Sequence, residues 1–157
     1  LPFAPTLFGL VEERRKFGKG SFIDRRMLEK FSNRQTSKVL AALAPGVSIR
    51  RGRGMKAWAA SGRSPATSGG AFGQAGGFQL DRSDIAAGAR PACYMDVYLN
   101  GALIYNSKGG SVPLHDVNSI PPEQIESIEA YAGASQVPAQ FNRTSGGCGV
   151  LVIWTRG

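Results

Sequence analysis

Residues 119–133 read "SIPPEQIESIEAYAG", and the fold turns on them. Pro121 and Pro122 fix φ and donate no backbone hydrogen bond, which suits the first turn of a helix. Ser119 stands where a cap belongs. Glu123 lies near the helix N-terminus, where negative charge is favoured. From Ile125 the period changes. Ile125, Ile128 and Ala130 alternate against Glu126, Ser127 and Glu129, so the turn hands over to a half-buried strand that Gly133 stops. On this reading Glu126 and Glu129 mark a solvent-facing side.

The neighbouring stretches extend the pattern. "ACYMDVYLNGALIYN" reads as a hairpin, two β-rich runs around the turn pair Asn100-Gly101. "GGCGVLVIWTRG" is a glycine-rich approach to a final strand. Upstream, Asp24 reads as the cap of a short helix over Arg25 to Phe31. Thr36 or Asn33 can cap a second helix, "SKVLAALA", whose Val39, Leu40 and Leu43 make one apolar stripe. "VSIR" is a short strand. Residues 50–80 are rich in Gly, Ser and Arg and read as a long inserted loop in which only "KAWAA" is strand-like. Helices that precede a set of strands predict an α+β (mixed α/β) domain, a small mixed sheet flanked by short helices. The expected organisation is a basic extended arm over 1–22 and one domain over 23–157. No run of about 18 apolar residues occurs, so no transmembrane segment is expected.

Charge is unevenly spread. Residues 1–63 hold fourteen Lys/Arg against four Asp/Glu, and residues 64–157 hold five against seven. The basic part gathers in "EERRKFGKG", "DRRMLEK" and "RRGRG". It suits nucleic acid, anionic lipid or an acidic protein surface, or simply a solvated exterior. Arg14, Arg15, Lys16, Lys19, Arg50, Arg51, Arg53 and Trp58 are the candidate contact residues for a partner or ligand. Cys93 and Cys148 each sit at the start of a strand-like run. Strands that begin side by side would bring the two sulfurs within bonding reach, which implies an oxidising compartment. Two buried free thiols are the alternative.

Catalytic chemistry is not legible. The lone His115 has no oriented nucleophile, and one His with two distant Cys falls short of the four ligands of a zinc site. No phosphate-binding "GxxxxGK[ST]" occurs. An enzyme is not expected, nor a cofactor or metal. Trp58 and Trp154 read first as packing residues, with Trp58 the better case for stacking because it lies amid the basic glycine loop.

"SKVLAALAPGVSIRRG", "CYMDVYLNGALI" and "SIPPEQIESIEAYAGASQVPAQFNRTSGGCGVLVIWTRG" together resemble the plug domain of TonB-dependent outer-membrane receptors. The match runs in order over residues 37–60 and 92–157. Cysteines before the "VYLNG" strand and in "CGVLVIWTR", with the basic approach "EERRKFGKGSFI", look like a soluble plug-like subfamily. The resemblance implies a small mixed sheet with flanking helices. It also implies export to the periplasm, the outer-membrane surface or the exterior of a Gram-negative-type bacterium. The sequence given stops at Gly157, where a barrel would begin in the receptors, and shows no energy-coupling box, so the expectation is a plug without its own barrel. The expected function is a non-enzymatic interaction module that docks on a partner protein or membrane-associated complex. A binder of a small ligand, a glycan or siderophore, is the alternative. Nucleic-acid binding through the basic half comes after both, because aromatic and basic residues are not interleaved.

Overall fold

The computed structural model describes residues 11, 14–15, 19–62, 80–106, 112–133, 136–138, 141 and 148–156. In chain order the elements are β1 (Ser21–Ile23), α1 (Arg25–Glu29), α2 (Thr36–Leu43), β2 (Val47–Arg51), β3 (Ala57–Ser61), α3 (Arg82–Ala86), β4 (Asp96–Leu99), β5 (Ala102–Tyr105) and, after two 3₁₀ turns, β6 (Ile125–Tyr131) and β7 (Val150–Thr155). Five strands form one sheet in the order β1-β6-β7-β4-β5, and β2 and β3 form a separate two-stranded sheet. The β4–β7 pair is parallel and the others are antiparallel, so the sheet is mixed and the domain α+β, as expected.

Side-chain alternation explains why both faces of the large sheet are buried. In β7, Leu151 and Ile153 point into one core while Val150, Val152 and Trp154 point into another. The first core is roofed by Leu28 of α1, Val39 and Leu40 of α2 and the β2–β3 hairpin. The second is closed by Val11, Phe141 and Val137. Helices α1 and α2 cover the first face, and the second is covered by pieces that include the helical Val11 and Arg14. Where an extended arm was expected over 1–22, Val11, Arg14 and Arg15 carry helical backbone and Ser21 and Phe22 are paired in β1.

The opening stretch folds much as its prolines dictate. Pro122–Gln124 is a single 3₁₀ turn with Pro121 in the cap position, and Ile125 starts β6 directly. Ser119 does not cap it. Its hydroxyl donates to the Asp116 carbonyl at 2.6 Å and closes the preceding turn, Val117–Ser119. Glu123 instead accepts from the Asn33 N–H at 2.7 Å and so ties the turn to the α1–α2 connection. A register shift between Ile125 and Ser127 lets Ile125 join Ile128 and Ala130 in the first core, although their numbering breaks strict alternation.

The helix caps follow local chemistry in part. Asp24 caps α1, accepting from the Met27 N–H at 3.0 Å, as the sequence indicated, although α1 ends at Glu29 rather than Phe31. For α2 neither Asn33 nor Thr36 is the cap. Asn33 has a left-handed backbone, φ 67°, and Thr36 is already inside the helix. Asn118 does the work from another element, its Oδ1 accepting from the Ser37 N–H at 2.8 Å.

The expected loop over 50–80 is shorter than its composition suggested. Residues 51–61 complete an antiparallel hairpin in which Arg50 pairs with Trp58 and Arg51 with Ala57, while 63–79 lie outside the described residues. The Asn100-Gly101 turn is present as read. Both residues have positive φ, 52° and 91°, as a two-residue hairpin turn requires.

Candidate functional site

Cys93 and Cys148 are joined by a disulfide, with Cα atoms 5.2 Å apart. The parallel pairing of Asp96 with Val150 explains this, because the two cysteines lie just before strands that start side by side. Gly149 makes the approach possible. It has φ 88°, and a Cβ there would lie 2.2 Å from the Tyr131 carbonyl oxygen. Only glycine lets the chain pass so close to the end of β6.

The candidate contact residues separate into different environments. Arg14 is 6% exposed and belongs to the interior. Its Nε and Nη2 donate to the two carboxylate oxygens of Glu129 at 2.6 and 2.7 Å. The guanidinium also lies 5.1 Å from the centre of the Phe141 ring. The Trp154 indole N–H donates to the same carboxylate at 2.7 Å, and the Tyr131 hydroxyl donates to it as well. Glu129, expected on a solvent-facing side, is fully buried. Alternation was read correctly, but the face it points to is closed by the N-terminal segment and Phe141, so the charge is met by a cation rather than by water. Burial works against the Arg14 charge, but the hydrogen bonds and charge of Glu129 outweigh it and hold the guanidinium pKa above its ordinary value. Glu126 remains partly exposed.

Arg15 is partly exposed and reaches Asp24 at 3.2 Å, and Lys19 is exposed. Lys16 lies outside the described residues. Arg50, Arg51 and Arg53 are exposed on β2 and the turn after it. Trp58 is buried at 2% exposure, its ring packed over Gly52, where a Cβ would sit 2.4 Å from the ring. Its faces are therefore committed to packing. Sequence reasoning missed Arg90 and Tyr94, which line a pocket of about 280 Å³ with Arg50, Arg51 and the edge of Trp58. Nothing local marks them, because 30 or more residues separate them from β2 and only the folded hairpin brings them together. The Tyr94 hydroxyl donates to the Arg90 carbonyl, and burial raises its pKa.

Among the described residues no group of three or more His, Cys, Asp and Glu could hold a metal ion. His115 lies in a partly buried stretch, and burial lowers its pKa more than the adjacent Asp116 raises it. A histidine whose folded pKa is depressed takes up its proton more readily in the unfolded chain. The unfolded state therefore gains protons first as pH falls below about 6.5, the ordinary histidine value, and stability drops from there down to the folded pKa. Urea denaturation at stepped pH is expected to show His115→Gln flattening this slope. An unchanged slope would show that other groups carry it.

The family model of the TonB-dependent receptor plug domain matches residues 18–147. The chain belongs to this family, and the mixed sheet agrees with it. No curated protein and no solved structure matches the chain significantly. Membership implies a receptor-associated module in an outer-membrane or periplasmic setting, and plug domains are non-catalytic parts of receptors. No helix among the described residues is long and apolar enough to cross a membrane.

Proposed function

We propose that this domain is an exported, non-enzymatic interaction module that docks on a partner protein or a membrane-associated assembly. The observation that carries the reading is the edge formed by Arg50, Arg51 and Arg53. All three are exposed, and none makes an ion pair or a side-chain hydrogen bond among the described residues. Unpaired guanidinium groups on a rigid hairpin are suited to bidentate contacts with carboxylate or phosphate on a partner. Backbone bonds from the Ser61 N–H to the Cys93 carbonyl at 2.8 Å and from the Met95 N–H to the Ala59 carbonyl at 3.0 Å tie that hairpin to the disulfide-linked segment, and Lys19 is exposed beside β1. The alternative of glycan or siderophore binding leaned on Trp58 for stacking, and its buried ring gives that reading less support. Charge reversal of Arg50, Arg51 and Arg53 together is expected to abolish co-purification of the tagged domain with native membranes. Retention of the triple variant at the wild-type level would refute the assignment of this edge.

A further inference from the structure

The turn between β2 and β3 and the nearby helix α3 form a surface of unusual composition. Arg50, Arg51, Arg53, Lys56, Arg82 and Arg90 are exposed there. Three carboxylates accompany these six cations, and each is engaged by local N–H donors, Asp116 by that of Ala57 at 3.1 Å. Asp81 accepts from the Ser83 N–H at 3.0 Å, capping α3, and Asp84 is buried and accepts from the Leu114 N–H at 2.8 Å. The two most exposed large apolar side chains among the described residues stand in the same neighbourhood, Met55 at 69% and Ile85 at 55%.

The surface is held firmly. The Arg53 N–H donates to the Ala87 carbonyl at 2.7 Å, which fastens the turn to the end of α3. The Asn118 side-chain amide donates to the Met55 carbonyl at 2.8 Å, which fixes the backbone while the Met55 side chain projects outward. Exposed apolar residues accompanied by cations on one surface match a planar layer of anionic headgroups better than a shaped protein partner. Guanidinium groups bind phosphate in bidentate fashion, and the pocket beside Arg50, Arg51 and Arg90 has room for such a group.

We infer that this surface docks on a lipid bilayer whose headgroups carry phosphate and net negative charge, with Met55 and Ile85 entering the headgroup layer. The inference rests on the docking reading above and names the bilayer itself as what is bound. The test is flotation of the purified domain with phosphatidylcholine vesicles, with and without phosphatidylglycerol. Binding is expected only with phosphatidylglycerol, and it should weaken as salt is raised. Arg51→Ala together with Arg53→Ala should lower partitioning by about 25-fold, at about fivefold per arginine. Met55→Ser with Ile85→Ser should lower it further at fixed salt, and all four positions are exposed, so folding is left intact. Absence of binding to phosphatidylglycerol vesicles overturns the inference, as does equal binding to neutral ones. Inorganic pyrophosphate supplies the second arm: a rise in melting temperature with pyrophosphate but no flotation would assign the cations to a free phosphate compound and overturn the bilayer. Any of these results leaves membrane co-purification through a protein partner standing, so the two readings fail separately.

Discussion

Replacing Arg14 with alanine is expected to lower the unfolding free energy by about 3–5 kcal/mol, because it leaves the Glu129 carboxylate buried without its cation. Arg14 and Glu129 are 115 residues apart and meet through two short hydrogen bonds at positions of 6% and 0% exposure. An exposed pair would be worth under about 1 kcal/mol. The difference lies in desolvation, which the remaining charge keeps suffering once its partner is gone. Trp154 and Tyr131 would still donate to the carboxylate, but two neutral donors do not replace a guanidinium. The double variant Arg14→Met with Glu129→Leu is the informative control. It removes both charges and keeps apolar volume, so it should recover most of the loss. Urea denaturation of wild type, single and double variants reads this directly. A single-variant loss below about 1 kcal/mol would show that Arg14 leaves the face without consequence and that water reaches Glu129.

The second large effect belongs to the disulfide. Cys93 and Cys148 close a loop of 55 residues, and removing the bond as Cys93→Ala with Cys148→Ala is expected to cost about 4 kcal/mol through the regained freedom of the unfolded chain. Both sulfurs are buried at 2% exposure, so thiol labelling under reducing conditions should remain low until denaturant opens the domain. A double variant as stable as the wild type would mean that residual structure in the unfolded chain already holds the two strands together. Such a bond also suits an oxidising compartment, in line with the outer-membrane or periplasmic context of the family.

Much of the fold was legible because it is written in local chemistry. Asn100-Gly101 demands a tight turn, the short continuous apolar, β-branched run "VLVIWT" suits a strand buried on both faces, and Pro121-Pro122 demands a helical start. The strand order was not legible, since nothing in "VLVIWT" says that it lies between β6 and β4. The site was read less fully. Arg50, Arg51 and Arg53 could be named as candidates because charge density is a property of composition, and the fold leaves them exposed. Glu129 was misjudged because alternation tells which face a residue shares and not what covers that face. Its cover comes from Val11, Arg14 and Phe141, all distant in sequence. The strand around Trp58 was read as "KAWAA", but the glycines and arginines near it suggested an open setting for its ring, which is buried. Gly52 in fact makes room for its ring.

The central place of β7 has a consequence for how the sheet is made. β7 spans Val150–Thr155, and its neighbours β6 and β4 are both translated before it. Without those six residues β4–β5 is an isolated hairpin and β1 with β6 a separate two-stranded ribbon, each with a bare inner edge. Two-stranded ribbons are marginal in water, so the large sheet has no stable form until β7 is in place. Pairing that waits for β7 is non-local, which slows folding relative to domains built on local contacts. The sheet therefore closes in one cooperative step, when β7 enters between β6 and β4.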